Sequence, residues 1–252
     1  NLGTDKETIW QRMKKGESAF SEVNTMNTEE LRCKKAGIIH NDDNSNGNNG
    51  KAGLRISKKN QRIWNHVTKV VYGAVCEAIE DADFNPFPYD PVRIGIFMGT
   101  TAGNMQTAEA YYKKMIKGEA RLRDKKYLLQ SSATKTMDLI ANELGQRGPR
   151  YFFANACSAS STAMAMAMQF IKNGRIDAAI CAGYDFLCEI TFYGFNALGN
   201  TSMSEMAPFS KNRDGLILGE GVGVVVLERY ENALNRGAKI YCELAGCGLS
   251  AD

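Results

Sequence analysis

At 252 residues, 44% of them hydrophobic, the chain is long enough to bury a substantial core without covalent staples. Its formal charge of +3 is carried by scattered Lys pairs (Lys14-Lys15, Lys34-Lys35, Lys113-Lys114, Lys125-Lys126) rather than a basic stripe, which weighs against a nucleic-acid partner. Its apolar runs fall short of the roughly 20 residues a membrane helix needs, "NLGTDKETIW" lacks a signal-peptide core, and its seven cysteines show neither CxxC nor zinc-type Cys/His spacing; the expectation is a cytoplasmic protein with reduced thiols, no metal and no membrane span.

Taken in chain order, residues 5–15 read as a helix with Thr4 as N-cap and Gly16 as stop. "HNDDNSNGNNG", His40 to Gly50, has nothing to bury and is expected to be a mobile surface loop. From Lys58 to Asp83 apolar residues recur at helical spacing (Ile63, Val67, Val70, Val71, Ala74, Val75, Ala78, Ile79), predicting one amphipathic helix of about seven turns. His66 lies beside that stripe, with no acid, Ser or Cys adjacent to it in sequence, and reads as a surface or core-edge histidine.

"VRIGIFMGTTAGN" is a strand running into a glycine turn, with a helix starting near Met105; it lacks both the Gly-Lys-Ser/Thr of a phosphate loop and GxGxxG. A helix over Thr134–Leu144 ends at Gly145, "RYFFANA" is strand-like, and the uncharged run from Ser158 to Lys172 is a helix closed by Asn173-Gly174. "DAAICAG" and "GEGVGVVVLERY" are further strands; Gly219, Gly221 and Gly223 lead into a strand and so do not form a nucleotide loop. Alternating strands and helices predict an α/β fold, a largely parallel or mixed sheet with helices packed on it. Because the helix Ser158–Lys172 has small residues on every side and no charge before Lys172, it is expected to be buried all round between two sheets.

Cys157 sits between a strand and that helix. A residue at such a corner meets unpaired N–H groups and the positive end of the helix dipole, which favour the thiolate and so lower a thiol's pKa. Free N–H groups there would also stabilise an oxyanion on a bound thioester, at about 2.7–4 kcal/mol per donor. Cys76, Cys181, Cys188, Cys242 and Cys247 read instead as inert small hydrophobes.

"NACSASSTAMAMAM" resembles the nucleophile motif of the β-ketoacyl synthases, the condensing enzymes of fatty-acid and polyketide synthesis. "APFSKNRDGLILGEGVGVVVLERYENALNRGAKIYCELAGCGLSAD" is similar to the family segment in which Pro208-Phe209 leads through Arg213-Asp214-Gly215 and Gly219-Glu220-Gly221 into a strand. "GIFMGTTAGNMQTAE", "ELGQRGPRYFFANACSAS" and "AGYDFLCEITFYGFNALGNTS" fall in family order, so the resemblance covers nearly the whole chain.

The resemblance implies one half of the thiolase-like layered fold, with the helix after Cys157 as one of its central helices. It also implies a reaction. Cys157 would accept an acyl chain from an acyl carrier protein as a thioester, and a malonyl-type extender would lose CO2 and attack it, with no metal or organic cofactor. Phe195 and Ser158 would contact the substrate. Gln130–Met137 would lie near the twofold axis of a homodimer, with the strand Arg150–Ala154 pairing across it.

The chain departs from the family in places. It begins just after the family's first Val-rich strand, and it ends at "GLSAD", where family members run on into a second half bearing two histidines and a lysine; neither His40 nor His66 matches those groups. The expectation is an N-terminal half that does not condense alone. Ser160 stands where many members have Gly, and Ser210 where many have Asp. Two other readings remain: a non-catalytic partner like the chain-length factors, which typically replace the nucleophile, and a cysteine-dependent hydrolase or acyltransferase, which needs a His–acid pair here.

Overall fold

The computed structural model describes residues 2–3, 5–39, 56–84 and 87–250. Thr4 and the Asn-rich stretch 40–50 lie outside the described residues. In chain order the elements are α1 (Lys6–Lys14), β1 (Phe20–Glu22), β2 (Lys35–Gly37), α2 (Lys58–Ile63), α3 (His66–Asp81), β3 (Ile94–Gly99), α4 (Met105–Ile116), α5 (Lys125–Ser131), α6 (Ala133–Glu143), β4 (Arg150–Phe153), α7 (Ala159–Lys172), β5 (Ala178–Asp185), α8 (Glu189–Ala197), β6 (Gly221–Glu228) and α9 (Tyr230–Asn235). They gather into two compact units, the first from Asn1–Asp42, Asn104–Ser131 and Asp185–Gly221, the second from Asp43–Gly103, Ser132–Tyr184 and Val222–Asp252.

The second unit is built on a sheet of order β4-β3-β5-β6, in which β3 pairs parallel with both β4 and β5. The Arg229 N–H donates to the Asp177 carbonyl at 3.4 Å, so the end of β6 lies beside the start of β5, and β6 runs antiparallel. The sheet is therefore mixed, as expected. Every residue of β3 is buried, because successive side chains point to opposite faces and both faces are covered. One face packs on α7, where Phe97 joins Ala163, Ala167, Phe170 and Ile171. Alternation turns Ile96 and Met98 to the other face, where α6 contacts the sheet and α3 meets α6 through the Thr68–Thr136 hydroxyl pair at 3.0 Å. At the strand starts, the Arg93 guanidinium grips both carboxylate oxygens of Asp177 at 2.7 and 2.8 Å.

The single helix predicted over Lys58–Asp83 is two helices. Trp64 leaves the helical conformation (φ -68°, ψ 138°), and the Asn65 side chain accepts the Thr68 N–H at 2.8 Å to start α3 afresh. Asn is a strong N-cap, and the break lets the buried Trp64 ring meet Tyr72 edge-on at 5.3 Å. Ile63 is left half-exposed. His66, in the first turn of α3, is held below the usual histidine range by burial and then by Lys69.

The helices read over Thr134–Leu144 and Ser158–Lys172 form as α6 and α7, with Gly145 and Gly174 at left-handed φ after them. α1 is capped by Asp5, whose side chain accepts the Thr8 N–H at 2.9 Å, where the sequence suggested Thr4. α7 is not buried all round: Ser161, Gln169 and Lys172 are exposed, with Met164 and Met166 half-buried. Among the described residues of this unit no second sheet covers that face. It is met by the segment beyond α9, through Lys172 Nζ to the Ala245 carbonyl at 3.2 Å and Gln169 Nε2 to Cys247 Sγ at 3.9 Å.

The first unit centres on Val23, Ala36 and Phe192, beneath the antiparallel pair β1–β2 and α8. Helix α8 has no cap on its own chain neighbour. Instead Glu109 of α4 reaches across and accepts the Glu189 and Ile190 N–H groups, both at 3.0 Å, closing the positive end of the helix with a carboxylate.

Candidate active site

β4 ends at Phe153, and within three residues the chain enters a 3₁₀ turn, Ala156–Ser158, that leads straight into α7. Ala156 stands at φ 55°. A residue with a Cβ pays about 1–2 kcal/mol for that left-handed conformation, so the elbow is held by its surroundings rather than by local preference. The result is that Cys157 is exposed, next to a helix N-terminus, beyond the carboxyl end of a parallel strand. Open α/β sheets place ligands at that end of their strands.

The start of α7 can lie so close because β3 ends in glycine and β5 carries a glycine near its end. Gly99 and Gly183 are register partners on β3 and β5. A Cβ on Gly99 would come within 2.3 Å of the Ala159 carbonyl carbon, and one on Gly183 within 2.5 Å of Ser160 Cβ. Ser160 thus fits because Gly183 gives it room.

Four other cysteines are buried, and three of these have raised thiol values. Burial pushes the Cys76 thiol up to about 12, and raises Cys181 and Cys188 as well. Cys33, which the sequence did not mark, is the fourth buried thiol. Cys242 and Cys247 were expected to be packed hydrophobes, but both are exposed, because the segment beyond α9 forms no regular element that would cover them.

Of the other residues marked from sequence, Ser158 adjoins Cys157 in the same turn, whereas Phe195 sits half-buried on α8 in the other unit. Asn155 and Thr162 went unmarked, though both bond within this turn. Their signal was local: an Asn two before the cysteine, then hydroxyls at 158 and 162, one helical turn apart on the same face.

The Arg213-Asp214-Gly215 and Gly219-Glu220-Gly221 stretches are folded into the first unit. The Asp214 carboxylate accepts the Ser202 hydroxyl at 2.6 Å, the Met203 N–H at 3.0 Å and the Ser204 hydroxyl at 3.3 Å. These bonds hold its carboxyl below the usual range, Ser202 contributing most. A Cβ at Gly215 would strike the Thr201 backbone at 2.5 Å. Glu220 accepts the Ile39 N–H at 2.8 Å and the Leu187 N–H at 3.1 Å, while Gly219 pairs with Gly37 in a parallel bridge. Phe209, in the same segment, is fully exposed at φ 64°, an outlier for a bulky residue.

The family profile described as "Beta-ketoacyl synthase, N-terminal domain" matches residues 2–233. The chain belongs to the β-ketoacyl synthase family. It is 28% identical over 260 residues to a 3-oxoacyl-[acyl-carrier-protein] synthase 2 of Staphylococcus aureus, covering 100% of this chain and 62% of that protein. The fold is the thiolase-like fold of ketosynthases. It superposes on the ishigamide ketosynthase/chain length factor with a TM-score of 0.84 at 24% identity, covering 97% of this chain and 59% of that one. A type II PKS acyl-carrier protein in complex with its ketosynthase gives 0.77 at 24% identity, over 97% of this chain and 59% of that one. The chain thus spans about 60% of the length of the curated relatives it matches.

Proposed function

We propose that Cys157 is the acyl-accepting nucleophile of a condensing enzyme. Its thiolate attacks the carbonyl of an acyl chain carried as a thioester on an acyl carrier protein; the tetrahedral intermediate collapses, expels the carrier's thiolate and leaves the acyl group on Cys157. A malonyl thioester then loses CO2, and the resulting enolate attacks the Cys157 thioester. That step expels the Cys157 thiolate and lengthens the chain by two carbons. The groups that assist decarboxylation, two histidines and a lysine in this family, are assigned to the part of the relatives that this chain does not span. The observation that carries the reading is the exposed thiol at a left-handed elbow, in a chain whose cysteines nearest the sheet core are buried.

Phe195 is assigned to the acyl pocket. Ser158 is assigned to the substrate side of the elbow, where its hydroxyl donates to the Asn155 carbonyl at 3.0 Å and keeps an acceptor site free beyond the Asn155 amide. Dimerisation is assigned to β4, the end strand of its sheet, whose Arg150 and Tyr151 are exposed. A light-scattering mass of one chain at micromolar concentration would count against it. Among the described residues no helix is long and apolar enough to cross a membrane.

Carrier docking is assigned to the face formed by α4, α5 and their connection. Lys117, Arg123 and Lys125 are exposed there, among the exposed side chains of Ile116, Leu122 and Leu129, a basic and apolar surface suited to an acidic carrier. Reversing Lys117 and Lys125 to Glu is expected to raise KM for a carrier-borne chain about tenfold and to leave KM for a pantetheine thioester unchanged.

The deciding experiment is intact-protein mass spectrometry after incubation with an acyl thioester. A single acyl adduct that disappears in Cys157→Ala supports the nucleophile. Absence of any adduct on the wild type would favour the non-catalytic, chain-length-factor-like reading instead.

A further inference from the structure

We propose that Asn155 is a positioning residue that fixes the direction of the Cys157 thiol through a closed hydrogen-bond circuit with Ser158 and Thr162. This rests on the reading of Cys157 as the nucleophile. The Asn155 side-chain amide donates to Ser158 Oγ at 2.9 Å and to Thr162 Oγ1 at 2.8 Å. Ser158 Oγ in turn donates to the Asn155 carbonyl, and Thr162 Oγ1 to the Ser158 carbonyl, each at 3.0 Å.

A hydroxyl has one hydrogen. Both hydroxyl hydrogens are engaged on carbonyls, so both oxygens must accept, and only a group with two N–H bonds at position 155 supplies them. The circuit therefore assigns the amide orientation and excludes a carboxylate of the same shape. It also brackets the nucleophile, since it joins residue 155 to residues 158 and 162 while Ala156, at φ 55°, and Cys157 lie inside the loop it closes.

The circuit has a second consequence at the helix start. Ser158 occupies the N-cap of α7, where a serine ordinarily turns its oxygen onto the N–H groups of the first turn. Here it makes no such cap bond and faces Asn155 instead. Its hydroxyl therefore does not compete with the Cys157 thiolate for those donors. Thr162, buried one turn further on, anchors the assembly to the rigid helix rather than to the loop.

A positioning role predicts a split between two reactions of the same thiol. Alkylation by iodoacetamide, a small reagent, tolerates many approach directions. Acyl transfer needs the sulfur aimed at a bound carbonyl, and a misplacement of about 1 Å costs about 100-fold. In the full chain, Asn155→Ala, Asn155→Asp and Thr162→Val are each expected to slow acylation by a pantetheine thioester about 100-fold. Iodoacetamide alkylation should stay within about twofold of wild type, and Thr162→Ser, which keeps the hydroxyl, should acylate as wild type does. Acylation by Asn155→Ala or Thr162→Val at the wild-type rate would overturn the positioning role and leave the nucleophile standing. Equal losses of acylation, alkylation and melting temperature in both variants would overturn it too, as a purely structural effect. A wild type that takes acyl groups at no cysteine removes the nucleophile reading and this proposal with it.

Discussion

The Cys157 elbow and the segment from Arg213 to Gly221 both match family motifs, yet the fold uses them in opposite ways. At the elbow the backbone is bent into a left-handed turn and the sulfur is exposed. In the other segment Asp214 and Glu220 turn inward, and their oxygens accept backbone N–H groups of Met203, Ile39 and Leu187. One motif presents an exposed thiol; the other ties chain segments that are far apart in sequence. A motif match therefore says that a residue matters to the family's structure, whereas exposure and hydrogen-bond partners say whether it is free to do chemistry.

The strongest challenge to that contrast is at the glycine beneath the elbow. Gly99→Ala puts a methyl group 2.3 Å from the Ala159 backbone, so either β3 or α7 must move. A loss of about 3 kcal/mol in urea unfolding is expected, with acylation of Cys157 falling in the fraction that still folds. Wild-type stability would mean that α7 does not bear on β3 as described.

Glu220→Ala is expected to cost about 2 kcal/mol, since backbone donors lose a charged acceptor. Per folded molecule, the rate of Cys157 alkylation by iodoacetamide should not change. A selective loss of alkylation without a loss of stability would erase the distinction between the two motifs.

Asp214 adds a pH signature to the inward-facing motif. Its folded carboxyl lies below the usual value, so the folded state binds fewer protons than the unfolded chain around that range. The stabilisation is complete above the ordinary carboxylate value of about 3.9 and is lost as pH falls through the lower folded value. Asp214→Asn should therefore lower the melting temperature at pH 7 and flatten its decline below about pH 4. Parallel curves for the two proteins would show that the carboxylate is not used in this way.

Ala156→Gly is the gentlest test. Glycine reaches φ 55° without the Cβ penalty, so stability should rise, by no more than about 1 kcal/mol because glycine also loses more freedom on folding. A marked loss of stability would mean that the Ala156 methyl group packs against something important.

Much of this was legible in the chain itself. Helices near Met105, over 134–144 and over 158–172 were legible, as were β3 to β6 as apolar runs and Gly145 and Gly174 as helix ends, because these depend on contacts within a few residues. Trp64 escaped notice because the apolar spacing continues through it; only its burial against Tyr72 and the Asn65 cap show that the helix must break. Helices α5, α8 and α9 also went unread. α8 depends on Glu109, a residue 80 positions away, to close its first turn.

The candidate site divides along the same line. Sequence alone marked Cys157 as a cysteine between a strand and a helix, and motif order named the family, because covalent order and local propensity suffice for both. Tertiary structure decided that Cys157 is exposed while Cys76 and Cys181 are buried, and that Asp214 and Glu220 serve backbone donors. It also decided that Gly99 and Gly183 stand side by side to admit α7. Burial and non-local hydrogen bonding exist only once distant segments meet, and no window of sequence contains them.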